Sequence, residues 1–407
     1  MLQTLLDHIA GQQDELIDLQ KHLVAIPALG PSNGGQGEKA KAAFLRDYLK
    51  KINIENVSEI HIPDTRVACG YRPSIVARIA GKDSTRTLWI IGHIDIVPAG
   101  DETLWRTPPF ELHRDGDLIF GRGVEDNHQG LTAALLVGKG LMDLSIVPDI
   151  NLGLIFVADE ETGSKYGLDA IIDKHPELFA PTDLFLIPDS GVPTSDMIEI
   201  AEKSQLWVKV TVTGKQCHAS TPQEGINSLR GAAAMILAVD EMHQKFSASN
   251  PLFSPPISTF SPTKKEANVD NINTLPGKDV FYIDSRILPE YPIDTVLEEL
   301  ERISDRVGRE YQVAICCETV QREDAAPPTD PNSDFVRGLA AAIKKIYKVE
   351  ATTQGIGGGT VAAILRRKGY PAIVWSTLLN YAHQPNERAS LTNTLKDSQV
   401  MACMLFN

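Results

Sequence analysis

The stretch Leu88-Trp89-Ile90-Ile91-Gly92-His93-Ile94-Asp95 constrains this chain more than any other. An apolar run feeds through a glycine into His-x-Asp, which reads as a buried strand ending at a polar site. Further acidic or His positions close similar runs. They are Asp126 in GRGVEDNHQG, Glu160-Glu161 after LGLIFVAD, Asp189 after LFLIP and His383 after AIVWSTLLNYA. In a parallel α/β sheet the strand C-termini lie along one edge, where ligands bind. A lone acid or His after a strand is ordinarily a cap or a solvated turn residue. The Glu-Glu pair alone reads as the first turn of a helix, where the dipole favours acids. The ordered set changes the reading, because it delivers His, Asp, Glu-Glu, Asp and His to one edge. That makes a site for two divalent ions. Two His and several carboxylates without Cys suit zinc, with cobalt or manganese as alternatives, in a non-redox role.

The 407 residues are enough for two domains with full cores. Over 1–200 helical patterns (3–25, 38–51) alternate with strand patterns near 74–80, 88–94, 151–157 and 184–187, and an Ala/Leu-rich helix occupies 130–143. This alternation predicts a largely parallel sheet covered by helices on both faces. At about 203 the texture changes. LWVKVTVTG alternates apolar and polar, as a half-exposed antiparallel strand does. A helix over 226–245, strands at 278–287 and 311–320 and a helix at 293–309 complete a small α/β sandwich of two helices on a four-stranded sheet. EDAAPPTDPNS at 323–333 has linker composition. Helices at 334–348 and 360–368 and a strand at 371–376 follow. The expected fold class is therefore α/β, with a discontinuous catalytic domain (1–203 and 322–407) and an insert at 204–321.

Composition excludes several function classes. The net charge of −14, with no basic stripe, disfavours nucleic acid and anionic membranes as partners. No run approaches the roughly 20 apolar residues of a membrane span. The N-terminus reads as an amphipathic helix mixed with Asp and Glu, not a signal peptide. Five cysteines without regular spacing argue against a disulfide scaffold. Cys316-Cys317 are expected to face opposite ways in a strand, as reduced core residues of a cytoplasmic protein. Gly357-Gly358-Gly359 is followed by neither Lys-Ser nor Lys-Thr, which disfavours a phosphate loop and a nucleotide-binding reading. His113, His128, His175 and His243 read as surface or structural residues. His128 is the partial exception: two residues past Asp126, it is placed to tune the surroundings of the metal ligands.

The motifs GHID 92–95, GRGVED 121–126, DEETGS 159–164, PDSG 188–191, GKQCHASTPQEGINSL 214–229, NTLP 273–276, DSR 284–286, GGGT 357–360 and His383 span nearly the whole chain. Together they resemble the co-catalytic metallopeptidase and deacylase family of acetylornithine deacetylase, succinyl-diaminopimelate desuccinylase, carboxypeptidase G, aminoacylase and the carnosinase-type dipeptidases. The resemblance implies one metal on His93 and Asp189, a second on Glu161 and His383, and Asp126 bridging them through a carboxylate followed by a cis peptide to Asn127. It assigns Glu160 as general base, an order within the Glu pair that sequence alone does not settle. It places the Asp95 carboxylate behind His93, fixing its tautomer. His218 becomes an oxyanion donor reaching the neighbouring subunit's site, and the insert becomes a lid and dimerisation domain. Asn273, Arg286, Gly358, Gly359 and Thr360 become substrate contacts; the planar fork of Arg suits a carboxylate.

Two departures stand out. Where the family continues its bridging Asp with Lys-Gly, this chain has Asn127-His128-Gln129-Gly130. Where the family has Gly-Gly-Thr-Ser-Asp, it has Gly358-Gly359-Thr360-Val361-Ala362. Both leave the ligand residues intact and bear on specificity. The expected function is metal-dependent hydrolysis of an amide bond in a small N-acyl-amino acid, of the deacetylase or desuccinylase type, by a homodimer. A dipeptidase or carboxypeptidase on the same scaffold is the alternative. A non-catalytic metal-binding dimer is disfavoured, because such a relative would first lose Glu160 or a ligand.

Overall fold

A computed structural model describes residues 1–406. The chain opens with helices α1 (Leu2–Ala10), α2 (Gln13–Ala25) and α3 (Lys39–Lys51). Strands β1 (Val57–Pro63), β2 (Tyr71–Ile79) and β3 (Asp83–His93) follow, then α4 (His128–Asp143) and β4 (Ile150–Val157). After α5 (Leu168–Lys174) come β5 (Leu184–Gly191) and β6 (Met197–Glu202). Next are β7 (Ser204–Thr213), α6 (Ser228–Ala238), α7 (Glu241–Lys245), β8 (Thr259–Lys265), β9 (Lys278–Ile287), α8 (Ile293–Tyr311) and β10 (Ala314–Glu323). The chain ends with α9 (Asp334–Tyr347), β11 (Thr352–Ile356), α10 (Ala362–Arg367), β12 (Ala372–Ser376) and α11 (Leu391–Cys403).

Two compact units result. One comprises Met1–Ile200, Thr329–Thr353 and Thr360–Asn407; the other comprises Ala201–Pro328 and Gln354–Gly359. The first is built on an eight-stranded sheet of order β1-β2-β4-β3-β5-β12-β6-β11. Its centre, β4-β3-β5-β12, is parallel, while β1, β2 and β6 pair antiparallel. Every residue of β4 is buried, as expected of a strand covered on both faces. Trp89 of β3 stands opposite Gly153 of β4. A Cβ at Gly153 would lie 2.1 Å from a Trp89 ring carbon, so the large indole is accommodated by the absence of a side chain across the pair. The parallel register sets His93 opposite Val157. The strand ends that lead into Glu160, Asp189 and His383 therefore lie along the same edge.

The second unit has the antiparallel sheet β8-β9-β7-β10. Leu206, Val208, Val210 and Val212 alternate inward from β7. They pack with Leu300, Ile303 and Val307 of α8 and Met235 of α6.

Several local expectations are corrected. The helix expected over 3–25 is two helices, because the Gly11 and Gln12 amides turn back to the His8 and Ile9 carbonyls and close the first one. Gly is also a poor helix former. The helix expected over 226–245 breaks after Ala238; the turn keeps Val239, Met242 and Phe246 all buried. The strand expected at 311–320 starts at Ala314, because α8 runs on to Tyr311 and stops at the left-handed Gln312. Cys317 packs on the core with Ser304, but Cys316 is exposed and is no core residue. β10 is an edge strand with one open face, so alternation sends Cys316 outward. All five cysteines are free thiols. Among the described residues no helix is long and apolar enough to cross a membrane.

Candidate metal centre

β3 ends on His93 because Gly92 lets α4 approach. A Cβ at Gly92 would come within 2.6 Å of Asn127 Oδ1 and 2.9 Å of Leu131. The His93 Nδ1 faces the main-chain carbonyl of Asp95 at 2.9 Å. A carbonyl only accepts, so Nδ1 carries the proton and Nε2 is directed to the centre. The Asp95 carboxylate also lies beside the ring, 3.6 Å from Nδ1. Its two oxygens accept the amides of Glu160 and Glu161, each at 3.1 Å. Asp95 thus holds the acid pair in its 3-10 turn, Glu160–Thr162. Asp159 precedes that turn in a left-handed conformation, held by Arg72 at 3.0 Å and by the Tyr166 amide at 2.8 Å. The pair thus sits in a three-residue 3-10 turn rather than in the first turn of an α-helix.

Asp126 lies between two imidazoles. Its Oδ1 is 2.8 Å from His93 Nε2, and its Oδ2 is 3.1 Å from His383 Nε2. Asp189 Oδ1 is 3.4 Å from His93 Nε2, and Glu161 Oε2 is 3.1 Å from His383 Nε2. Two triads follow, His93/Asp126/Asp189 and Asp126/Glu161/His383, each with ligand atoms within 4.8 Å of one another and sharing Asp126. Glu160 Oε2 lies 4.0 Å from His93 Nε2 and belongs to neither. The Asp126–Asn127 peptide is cis. His93 is buried, whereas the His383 side chain is 55% exposed, so the centre opens on the His383 side.

The electrostatics match a cation site. Burial pushes the His93 imidazole down, but Asp189 and Asp126 outweigh it and hold it well above its ordinary range. Hydrogen bonds to Asp126 and Glu161 raise His383 to about 10. Burial opposes ionisation of Asp126, yet the two His bring it below the usual carboxylate range. Burial drives Glu160 well above it, with Asp189, Glu161 and Asp126 adding repulsion. A field that keeps two imidazoles cationic is one that divalent ions would neutralise. The donor set of two His and carboxylates fits zinc, cobalt or manganese. Glu161 Oε1 is buried without a hydrogen-bond partner, which also fits a metal ligand.

Around the centre stand Asn127 and His128, which the sequence marked as departures near the site, and Glu125 and Glu387, which it did not single out. Asn127 Nδ2 donates to Asp189 Oδ1 and to the Pro188 carbonyl, both at 2.7 Å. His128 is fully buried, and its Nε2 is 2.6 Å from the buried Lys41 Nζ of α3. Glu125 and Glu387 bond to the loops that carry Asp126 and His383. Glu125 stands inside GRGVED and Glu387 four residues past His383, so proximity in sequence was the available signal.

The remaining candidates lie in the second unit, except Thr360 in the first. His218 pairs with Thr274, and the Ala219 amide donates to the Asn273 carbonyl, so His218 and Asn273 are neighbours. The Ser220 amide donates to His218 Nδ1 at 3.1 Å. That leaves the proton of a neutral imidazole on Nε2, on an exposed side chain. Arg286 binds Asp284 through Nε (2.8 Å) and Nη2 (2.9 Å), and the Gly357 carbonyl through Nη1 (3.0 Å). The turn bearing Gly358 and Gly359 is thereby tied to the strand bearing Arg286.

Comparison with known proteins gives the following. A family model described as peptidase family M20/M25/M40 matches residues 89–407. An uncharacterized metallohydrolase of Methanococcus maripaludis is 39% identical over 409 residues, covering 95% of this chain and 97% of that protein. A succinyl-diaminopimelate desuccinylase of Nitratiruptor sp. is 26% identical over 383 residues, covering 92% and 95%. The crystal structure of human carnosine dipeptidase 1 superposes with a TM-score of 0.79 at 16% identity, covering 99% of this chain and 98% of that one. At that identity the likeness speaks for the fold alone.

Proposed function

The chain belongs to peptidase family M20/M25/M40 and is a metal-dependent hydrolase of amide bonds; on that footing we propose that it removes the acyl group of small N-acyl-amino acids. The observation that carries the reading is the pair of ligand triads sharing Asp126. In it, His93, Asp126 and Asp189 would hold one divalent ion, and Asp126, Glu161 and His383 the other, with zinc the first choice. Bound there, the ions would acidify a water and polarise the scissile carbonyl. Glu160 takes the water proton and passes it to the leaving amine. Its raised proton affinity and its place outside both triads support that role. His218, with its proton on Nε2, serves as a donor to the developing oxyanion, in the neighbouring subunit of a homodimer paired through the inserted unit. Arg286, with donors left after Asp284 and Gly357, binds the substrate carboxylate together with Asn273, while Gly358, Gly359 and Thr360 line the pocket.

The desuccinylase relative, aligned along 92% of this chain, supports a deacylase over a dipeptidase. The acidic net charge disfavours polyanionic partners and so supports a small-molecule substrate, and the five free thiols support a cytoplasmic location. The test is a hydrolysis screen of N-succinyl- and N-acetyl-amino acids against dipeptides, with zinc, cobalt or manganese added. Turnover of the acylated set alone supports the proposal. Turnover of dipeptides alone replaces it with a dipeptidase. Turnover of neither returns the chain to a metal-binding role.

A further inference from the structure

Two buried carboxylates that neither hold the ions nor take part in the chemistry grip each other's loops. Glu387 is fully buried, and its Oε1 accepts the amides of Glu125 (3.0 Å) and Asp126 (3.1 Å). Its Oε2 accepts the Gly123 amide (3.0 Å) and Arg122 Nη1 (2.6 Å). Glu125, 1% exposed, does the converse. Its Oε1 accepts the amides of Leu379 and Asn380, the latter at 3.1 Å, and its Oε2 accepts that of Tyr381 at 2.5 Å. Among the described residues all of its hydrogen bonds come from main-chain amides.

The gripped segments are the ones that matter. Loop 121–127 delivers Asp126, and loop 379–387 delivers His383. The second loop is not one the chain would adopt by itself. Asn380, His383 and Asn386 all have left-handed φ, at 64°, 62° and 60°. Such non-Gly conformations persist where the surroundings over-determine them. Burying a carboxylate is costly unless every lone pair is met, so a Glu that spends its burial on amides alone fixes those amides firmly.

We propose that Glu125 and Glu387 form a reciprocal clasp that sets the position of His383 relative to Asp126, and so controls occupancy of the Asp126/Glu161/His383 site separately from its neighbour. Glu125 is the positioning residue for His383, and Glu387 for the shared Asp126. This rests on the two-ion reading above. The two sites respond differently by construction. Loss of Glu125 frees the His383 loop but leaves Asp126 held by Glu387. Loss of Glu387 loosens Asp126, which both sites use.

The experiment is stepwise Co²⁺ titration of metal-free full-length protein, followed by calorimetry and by the cobalt absorption bands, for wild type, Glu125→Gln and Glu387→Gln. Residues behind metal ligands typically cost about 10–100-fold in affinity when changed, and that is the weakening expected for one step only in Glu125→Gln. The other step keeps its wild-type affinity. Glu387→Gln weakens both. His383→Ala is the reference for selective loss of the second step. Should Glu125→Gln fail to fold, Glu125→Asp, which keeps the charge but shortens the reach, must show the same selective weakening. A folded Glu125 variant with both steps unchanged, or with both weakened alike, overturns the clasp. A wild type that binds one ion overturns instead the two-ion reading on which it stands.

Discussion

Asp126 is the residue on which the centre turns, because each of its oxygens faces a different imidazole. The two acids after β4 divide the remaining labour. Glu161 stands in a triad with a buried oxygen lacking any partner, while Glu160 stands outside both triads. Glu160→Ala is therefore expected to lower turnover by about 10²–10⁴, the usual contribution of a general base, with metal content near that of wild type. Glu161→Ala is expected to lose metal. Metal analysis beside kinetics separates the two, and reversed outcomes would exchange the roles. A second residue-scale prediction concerns Lys41. Burial lowers it from 10.5 to about 7, so between those values the unfolded chain binds the proton that the folded one has lost. Stability contributed at this position then rises with pH across that window. Denaturation of wild type and Lys41→Met at pH 6.5 and pH 9.5 should show the balance moving toward wild type at the higher pH; a constant difference would mean that Lys41 does not titrate there. The candidate ligands were legible because His93, Glu161 and Asp189 follow apolar strand patterns and Asp126 and His383 complete the ordered set. Glu125, Glu387 and Lys41 were not, since a buried charge is defined by partners that lie far away in sequence, such as Glu387 by Arg122 and Lys41 by His128.

At the scale of elements, the centre depends on how closely β3 and β4 lie. Gly153→Ala would drive a methyl into the Trp89 ring. Overpacking of this kind typically costs about 1–3 kcal/mol, read as a lower denaturation midpoint. A midpoint equal to wild type would show that the pair yields easily. Strands β3, β4, β5 and β12 were readable because parallel central strands are apolar throughout. In the same sheet β1, β6 and β11 were missed. β6 alternates Ile with Glu although every residue is buried, and its Glu199 is neutralised by Arg366, a partner no local pattern reveals. Helix ends were misjudged where a single turn decided them, as at Gly11 and Gln312. Asp95 was placed beside His93, but its bonds to the Glu160 and Glu161 amides were not legible, because those amides reach it only once β3 and β4 are in register.

At the scale of the whole molecule, the chain divides into a unit that carries the metal triads and a unit that carries His218, Asn273 and Arg286. If His218 serves the partner subunit, mixing His218→Ala with Glu160→Ala subunits under exchange restores one working site per mixed dimer, and activity rises above either parent. No recovery would place His218 in its own subunit's chemistry. Both outcomes presuppose two ions, and that claim is the most directly exposed to measurement. An anomalous-scattering map of crystals grown with zinc is expected to show two peaks within about 4 Å of each other, the spacing of two-metal hydrolytic sites. One peak should sit against His93 and Asp189, the other against Glu161 and His383, with Asp126 between them. A single well-occupied peak, with His383 turned away from Asp126, would contradict the account.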